Sequence, residues 1–228
     1  MATSGSTAFN LDLLDLVEEA FERCGSELRS GYDLKTARRS MNLLFADWAN
    51  RGINLWTVAQ GSIPLVAGTA TYSLPDDTVD LLEQVIRTGA GNGATQTDLA
   101  ITRISVSTYA TLPNKLTAGR PIQVRVDRQT PTPSVTLWPV PDGATTYTLV
   151  YWRLKRIQDA VAGQGTMDIP FRFLPALVTG LAYYLSMKIP GAMDRMPALK
   201  AQYDEAFIGA AEEDREKASI RFVPRVMR

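Results

Sequence analysis

The spacing of apolar residues changes twice along the chain. Near the start it is helical: Leu13, Leu16, Val17, Ala20, Phe21 and Cys24 recur at steps of three and four. This predicts a helix with Asn10 as its N-cap, Asp12 and Asp15 in its first turns and Gly25 as its stop. A second helix is predicted from Asp33 to Arg51, ended by Gly52. Its apolar face is Ala37, Met41, Leu44, Phe45 and Trp48, and its opposite face carries Lys35, Arg38, Arg39 and Asn42. The short connection over 26–32 suits two antiparallel helices.

From Leu55 to about Lys155 the pattern becomes that of β-structure. Residues 62–66 and 70–74 read as strands joined at Ala67-Gly68-Thr69, and 79–88 and 99–104 as two more. Between those two, 89–97 reads as an exposed loop, and 106–111 as a single helical turn. Ile122, Val124 and Val126 alternate with Gln123, Arg125 and Asp127, as a half-buried strand requires. Segments 134–140 and 145–154 are expected to form a last hairpin, turned at Pro141-Asp142-Gly143. Trp138, Tyr147, Tyr151 and Trp152 lend that sheet aromatic area.

Helical spacing then returns. Pro170 opens a helix bearing Leu174, Leu177, Val178, Leu181, Ala182 and Leu185, and Pro190-Gly191 ends it. Asp194 is placed to cap a final helix whose apolar face is Leu199, Tyr203, Ala206, Phe207 and Ala210. The predicted fold is α+β: a four-helix bundle from N- and C-terminal helix pairs (1–54 and 166–214), an inserted antiparallel β domain (55–165), and an extended C-terminal tail (215–228).

With 228 residues, the chain can bury roughly 70% of the surface it exposes when unfolded. Lysine plus arginine and aspartate plus glutamate each number 24. That balance argues against a free-standing DNA-binding domain. It conceals two unlike ends. Asp12, Asp15, Glu18, Glu19 and Glu22 are the only charged side chains before Arg23, whereas Arg215, Lys217, Arg221, Arg225 and Arg228 face one acid, Glu216.

Histidine is absent, which excludes a Ser-His-Asp triad, a histidine base and a histidine-ligated metal. The single cysteine, Cys24, allows neither an intrachain disulfide nor a thiolate zinc cluster, and suits synthesis in a reducing cytosol. The first ten residues lack the charge and apolar core of a signal peptide. The uncharged stretch between Arg172 and Lys188 is shorter than the ~18 residues of a membrane span, so no membrane partner is expected.

Carboxylates are therefore the only acid–base candidates. Asp76-Asp77 follows Pro75 and reads as a solvated turn before it reads as a catalytic pair. Glu212-Glu213-Asp214 reads as a solvated helix face. Gly89, Gly91 and Gly93 lack the lysine and the strand-to-helix context of a phosphate loop. Ser62 and Ser73 have no base to activate them. Cys24, Trp48 and Trp56 read as core. No catalytic, metal or cofactor site is expected.

In the tail, Ile220, Phe222, Val223, Val226 and Met227 are interleaved with the basic residues, and Pro224 stops any helix. Such a segment cannot bury its own apolar groups and gains order only on a partner, with a protein preferred to nucleic acid or membrane.

The stretch from Tyr32-Asp33-Leu34-Lys35 through Asp47-Trp48-Ala49-Asn50-Arg51-Gly52 to Trp56 resembles the head-to-tail adaptor proteins of tailed bacteriophages, especially short-tailed ones. These are also called tail accessory, head-completion or packaged-DNA-stabilisation proteins. Tyr72-Ser73-Leu74-Pro75, Gly119-Arg120-Pro121, Leu137-Trp138-Pro139, Tyr151-Trp152-Arg153 and Asp168-Ile169-Pro170 extend the resemblance over nearly the whole chain.

The resemblance implies a non-enzymatic virion protein at the head–tail junction, made in the host cytoplasm. Twelve copies would form a ring beneath the portal protein, extending the DNA channel, helping to retain packaged DNA and giving the tail nozzle or tail tube its attachment site. Genomic DNA would pass through the lumen, up to ejection, without sequence-specific binding, which net neutrality favours. Ile220, Arg221, Phe222, Val223, Arg225, Val226 and Arg228 are the expected portal contacts. Asp12, Asp15, Arg38 and Arg39 are the expected ring contacts. The alternatives are a cell-wall hydrolase using Asp76 with a second carboxylate, and a nucleic-acid-binding module using the basic tail.

Overall fold

The computed structural model describes residue 5 and residues 9–29, 31–52, 55–160 and 167–215. In chain order the elements are α1 (Leu13–Arg23), α2 (Gly31–Asn50), β1 (Val58–Pro64), β2 (Thr71–Ser73), β3 (Thr78–Thr88), β4 (Thr97–Ala100), β5 (Thr102–Arg103), α3 (Val106–Thr111), β6 (Gln123–Asp127), β7 (Ser134–Trp138), β8 (Tyr147–Lys155), α4 (Leu174–Ser186) and α5 (Met196–Glu213). The protein is α+β and divides into two compact units. One takes the chain up to Trp56 and again from Ile157; the other is Thr57–Arg156.

In the helical unit, α4 is the hub. It has no charged residue, and ten of its 13 residues are buried. A helix apolar on every side must be covered on every side, and α1, α2 and α5 each pack against it. Gly180 lets them come close: a Cβ there would lie 2.9 Å from Leu44 of α2 and 2.9 Å from the Tyr203 ring of α5. Trp48, fully buried, packs against Phe45, Phe173 and Phe207, with ring centroids 5.5–6.2 Å away. Its indole Nε1–H donates to the Tyr203 hydroxyl at 2.9 Å, so the largest core side chain leaves no polar atom unpaired.

The helix ends correct two expectations. Asp12, not Asn10, caps α1: its carboxylate accepts the Asp15 N–H at 2.8 Å. Leu13 is the first buried residue, and the cap sits directly before it. At the other end Gly25, with φ +75°, lets Ser26 N–H reach Phe21 O at 3.0 Å and its own N–H reach Glu22 O at 2.8 Å. Asp194 does not cap α5. A one-turn 3₁₀ helix, Met193–Arg195, runs directly into α5, and its backbone bonds take the place of a side-chain cap.

The β unit holds two four-stranded sheets, ordered β1-β8-β3-β4 and β2-β7-β6-β5. β6 with Val124, and β7 with Val135 and Leu137, face Leu81, Ile86, Leu149 and Tyr151 of the other sheet in one shared core. The expected hairpin of 134–140 with 145–154 is not formed: β7 pairs with β6 and β2, while β8 pairs with β1 and β3. Period-two alternation marks which face of a strand is buried. It does not mark whether the next strand lies beside it or across the core. The segment expected as one strand over 99–104 is likewise split between the sheets as β4 and β5, with buried Ile101 between them. The sheet containing β5 is mixed, because β5 runs parallel to β6. The expectation of a purely antiparallel domain is corrected accordingly.

Candidate functional site

The acidic residues of α1 border a groove of about 880 Å³. Phe9, Leu11, Phe171, Leu174, Pro175 and Val178 give it apolar walls; Asp15, Glu18, Glu19, Glu22 and Arg23 supply its charge. Phe9 and Phe171 are each 75% exposed, although both are large and apolar. Steps of three and four put Asp15, Glu18 and Glu22 on one side of α1. Glu19 is held by Arg23 at 2.8 Å. Among the described residues, no cation lies within ion-pair distance of Asp15, Glu18 or Glu22. Asp12 is engaged as the helix cap.

Lys35, Arg38 and Arg39 line a shallower hollow on α2 with Asn42. None of the three cations meets an acid among the described residues. Asn42 is engaged with the backbone, where its Oδ1 accepts the Ala160 N–H at 2.8 Å. Arg39 also reaches a hollow of about 980 Å³ lined by Glu22, Arg29, Tyr32 and Lys188. There the Lys188 ammonium donates to Ser40 Oγ at 2.7 Å. Desolvation first, and the Arg39 charge second, push the Lys188 pKa down. The expected ring residues thus lie at α1 and on α2 of the helical unit, and no ion pair joins Asp12 or Asp15 to Arg38 or Arg39 among the described residues.

The candidate carboxylates have structural partners. Asp76 and Asp77 form an exposed turn, where Asp76 accepts from Thr132 Oγ1 at 2.8 Å and Asp77 pairs with Arg153. Glu212 and Glu213 are exposed, but Asp214 corrects the expectation of a solvated face, being only 5% exposed. It pairs with Arg172 and accepts the Leu55 N–H at 2.8 Å, binding the end of α5 to the turn that leads into α4 and to the chain just before the β unit. A signal for this stood in the sequence: Asp214 falls four residues after Ala210 and continues the apolar face of Leu199, Tyr203 and Phe207.

None of the remaining candidates lines the grooves described above. Gly89 and Gly91 have positive φ in a loop where Gly91 N–H donates to Gln96 Oε1, and a strand, not a helix, follows. Ser62 and Ser73 are exposed strand residues. Cys24 is buried with its thiol directed at Ala182 O, 3.2 Å away, and burial pushes its pKa up to about 11. Such a thiol is a poor nucleophile at neutral pH. Trp56 packs on Phe173 with ring centroids 4.5 Å apart. No three described cysteine, aspartate or glutamate residues group to hold a metal ion. No described helix is long and apolar enough to cross a membrane. The expected portal contacts Ile220, Arg221, Phe222, Val223, Arg225, Val226 and Arg228 lie outside the described residues.

The family model described as SU10 adaptor protein matches residues 11–227, across both units. No curated protein matches the chain.

Proposed function

Because the chain belongs to the SU10 adaptor protein family, we propose that it is a structural, non-enzymatic connector of a phage particle. In this reading twelve copies form a ring beneath the portal, extend the DNA channel, help to retain the genome and receive the tail nozzle or tube. The family match over residues 11–227 carries the reading. The charge layout of the helical unit supports it. Lys35, Arg38 and Arg39 on α2, and Asp15, Glu18 and Glu22 on α1, are two patches of opposite sign without described partners of their own. A head-to-tail ring needs two unlike, complementary surfaces on each protomer. Asp12 contributes by fixing the end of α1, and Asp15 by direct contact. The helical unit acts as a four-helix bundle forming the ring wall, with the β unit as its insertion. Residues Ile220 to Val223 with Arg225, Val226 and Arg228 anchor the ring to the portal.

Negative-stain images of the purified protein mixed with its portal test this. Rings seated on the portal are expected in dilute salt. Arg38→Glu with Arg39→Glu should remove them while the circular dichroism spectrum stays that of the parent. Rings formed equally well by that variant, in dilute and concentrated salt alike, would overturn the charge-driven contact. Absence of rings in every condition would overturn the connector reading.

A further inference from the structure

The groove beside α1 combines two features that a folded monomer rarely leaves open together: large exposed apolar side chains, and carboxylates with no cationic partner among the described residues. An occupant must be apolar and basic. Within this chain, residues 216–228 have that chemistry. They contain Ile220, Phe222, Val223 and Val226 with Lys217, Arg221, Arg225 and Arg228, against the single acid Glu216. Residues 1–8 contain no charged side chain and offer the carboxylates nothing of the kind.

Position supports the same occupant. The described chain stops at Arg215, one residue past Asp214. Asp214 is fixed to Arg172, the chain neighbour of Phe171, and Phe171 is a wall of the groove. The 13 residues of 216–228 can extend ~40 Å. Asp15 and Glu22 lie only ~10 Å apart along α1. The segment therefore starts beside the groove and is long enough to run its length. The four-residue step from Arg221 to Arg225 can reach ~13 Å in extended chain, enough to match the outermost carboxylates.

We propose that residues 216–228 dock in the groove of their own chain, with Phe222 and Val223 against Phe9, Phe171 and Val178 and with Arg221 and Arg225 against Asp15, Glu18 and Glu22. In the unassembled protomer the groove thus stores the apolar anchors that the portal later receives. This last step rests on the connector reading: there, these residues must leave the groove before they reach the portal.

A nitroxide placed on the full-length protein through Val226→Cys tests the proposal without any portal, so its outcome is separate from that of the connector reading. Buried Cys24 is protected from the label. Amide signals of Phe9, Leu11 and Glu18 should lose more than half their intensity in dilute salt. Glu18→Lys with Glu22→Lys should restore them, and adding Arg221→Glu with Arg225→Glu to that variant should bring the loss back. Mixing spin-labelled chains with isotope-labelled, spin-free chains should leave the signals intact. Full intensity at the groove, a loss indifferent to charge reversal, or a loss seen only between mixed chains would each overturn docking within one chain.

Discussion

In the β unit, Arg87, Arg103, Arg125, Arg128 and Arg153 each meet an aspartate of the same unit, all within 3.5 Å. The helical unit distributes its charges differently. It buries Asp214 against Arg172 and makes local pairs such as Arg51 with Asp47. It leaves three carboxylates on α1 and three cations on α2 without partners among its described residues. A charge already satisfied within its own unit has little to gain from a second protein, whereas an unpaired one still has its pairing to make. On the proposed connector reading, this contrast is the reason to look for neighbour contacts on the helical unit first.

The cores differ as well, and the largest expected effect tests that difference. Trp48 fills the middle of the helical unit and satisfies the Tyr203 hydroxyl, whereas Leu149 occupies the β core and brings no polar atom with it. Trp48→Ala should cost ~3–5 kcal/mol and Leu149→Ala ~2–5 kcal/mol, with Trp48→Ala the larger because it also strands the Tyr203 hydroxyl. Chemical denaturation followed separately by tryptophan fluorescence and by β-sheet circular dichroism would measure both. Equal losses would mean that neither the larger volume of Trp48 nor its hydrogen bond adds anything over a buried leucine.

Much of the helical unit was legible because its signals are local and redundant. Over the 20 residues of α2, the apolar face predicted from Ala37 to Trp48 is the buried one. Strands carry less information. β7 and β8 each show their buried face through Val135 and Leu137 or Tyr147, Leu149 and Tyr151, yet no local pattern says that they lie in different sheets. Caps fail for a related reason. Asn10 and Asp12 have the same chemistry, and only the start of burial at Leu13 selects between them. The acidic side of α1 and the basic side of α2 could be read, but the groove could not. It needs Phe171, more than 140 residues away from α1 in the chain, to form its other wall.

A sharper test sets the two kinds of ion pair against each other, beginning with the buried one. Asp214, whose side chain is only 4% exposed, is the buried member of its pair; Asp214→Ala leaves the Arg172 guanidinium without its carboxylate and the Leu55 N–H without its acceptor. The expected loss is about 2–3 kcal/mol, because stranded buried donors keep their desolvation penalty. For a domain of this size that lowers the melting temperature by roughly 4–12 °C. Since the pair is shielded, concentrated salt should change the loss little. A salt-sensitive or negligible effect would show that Asp214 is solvated in solution.

The smallest effect belongs to Arg87 and Asp98, although their geometry is the better of the two. They stand directly opposite on β3 and β4 and make two contacts of 2.7 Å, Nε to Oδ1 and Nη2 to Oδ2. The hydrogen bond to Arg87 is the main cause that lowers the Asp98 pKa, and the reciprocal bond raises that of Arg87. A depressed carboxylate pKa stabilises the fold above the unfolded value and loses that contribution as pH falls. Any effect of Arg87→Ala must therefore be present at neutral pH and fade in acid. What separates the pairs is the carboxylate: 37% of the Asp98 side chain is exposed, against 4% for Asp214, so hydration competes for Asp98 and salt screens its pair. Arg87→Ala should leave the melting temperature at pH 7 unchanged within error, in dilute and concentrated salt, and the acid limb of the stability curve should match that of the parent. If Arg87→Ala were instead as damaging as Asp214→Ala, burial would not be what separates the two units. The surface pairs of the β sheets would then have to be counted as part of what holds the fold together.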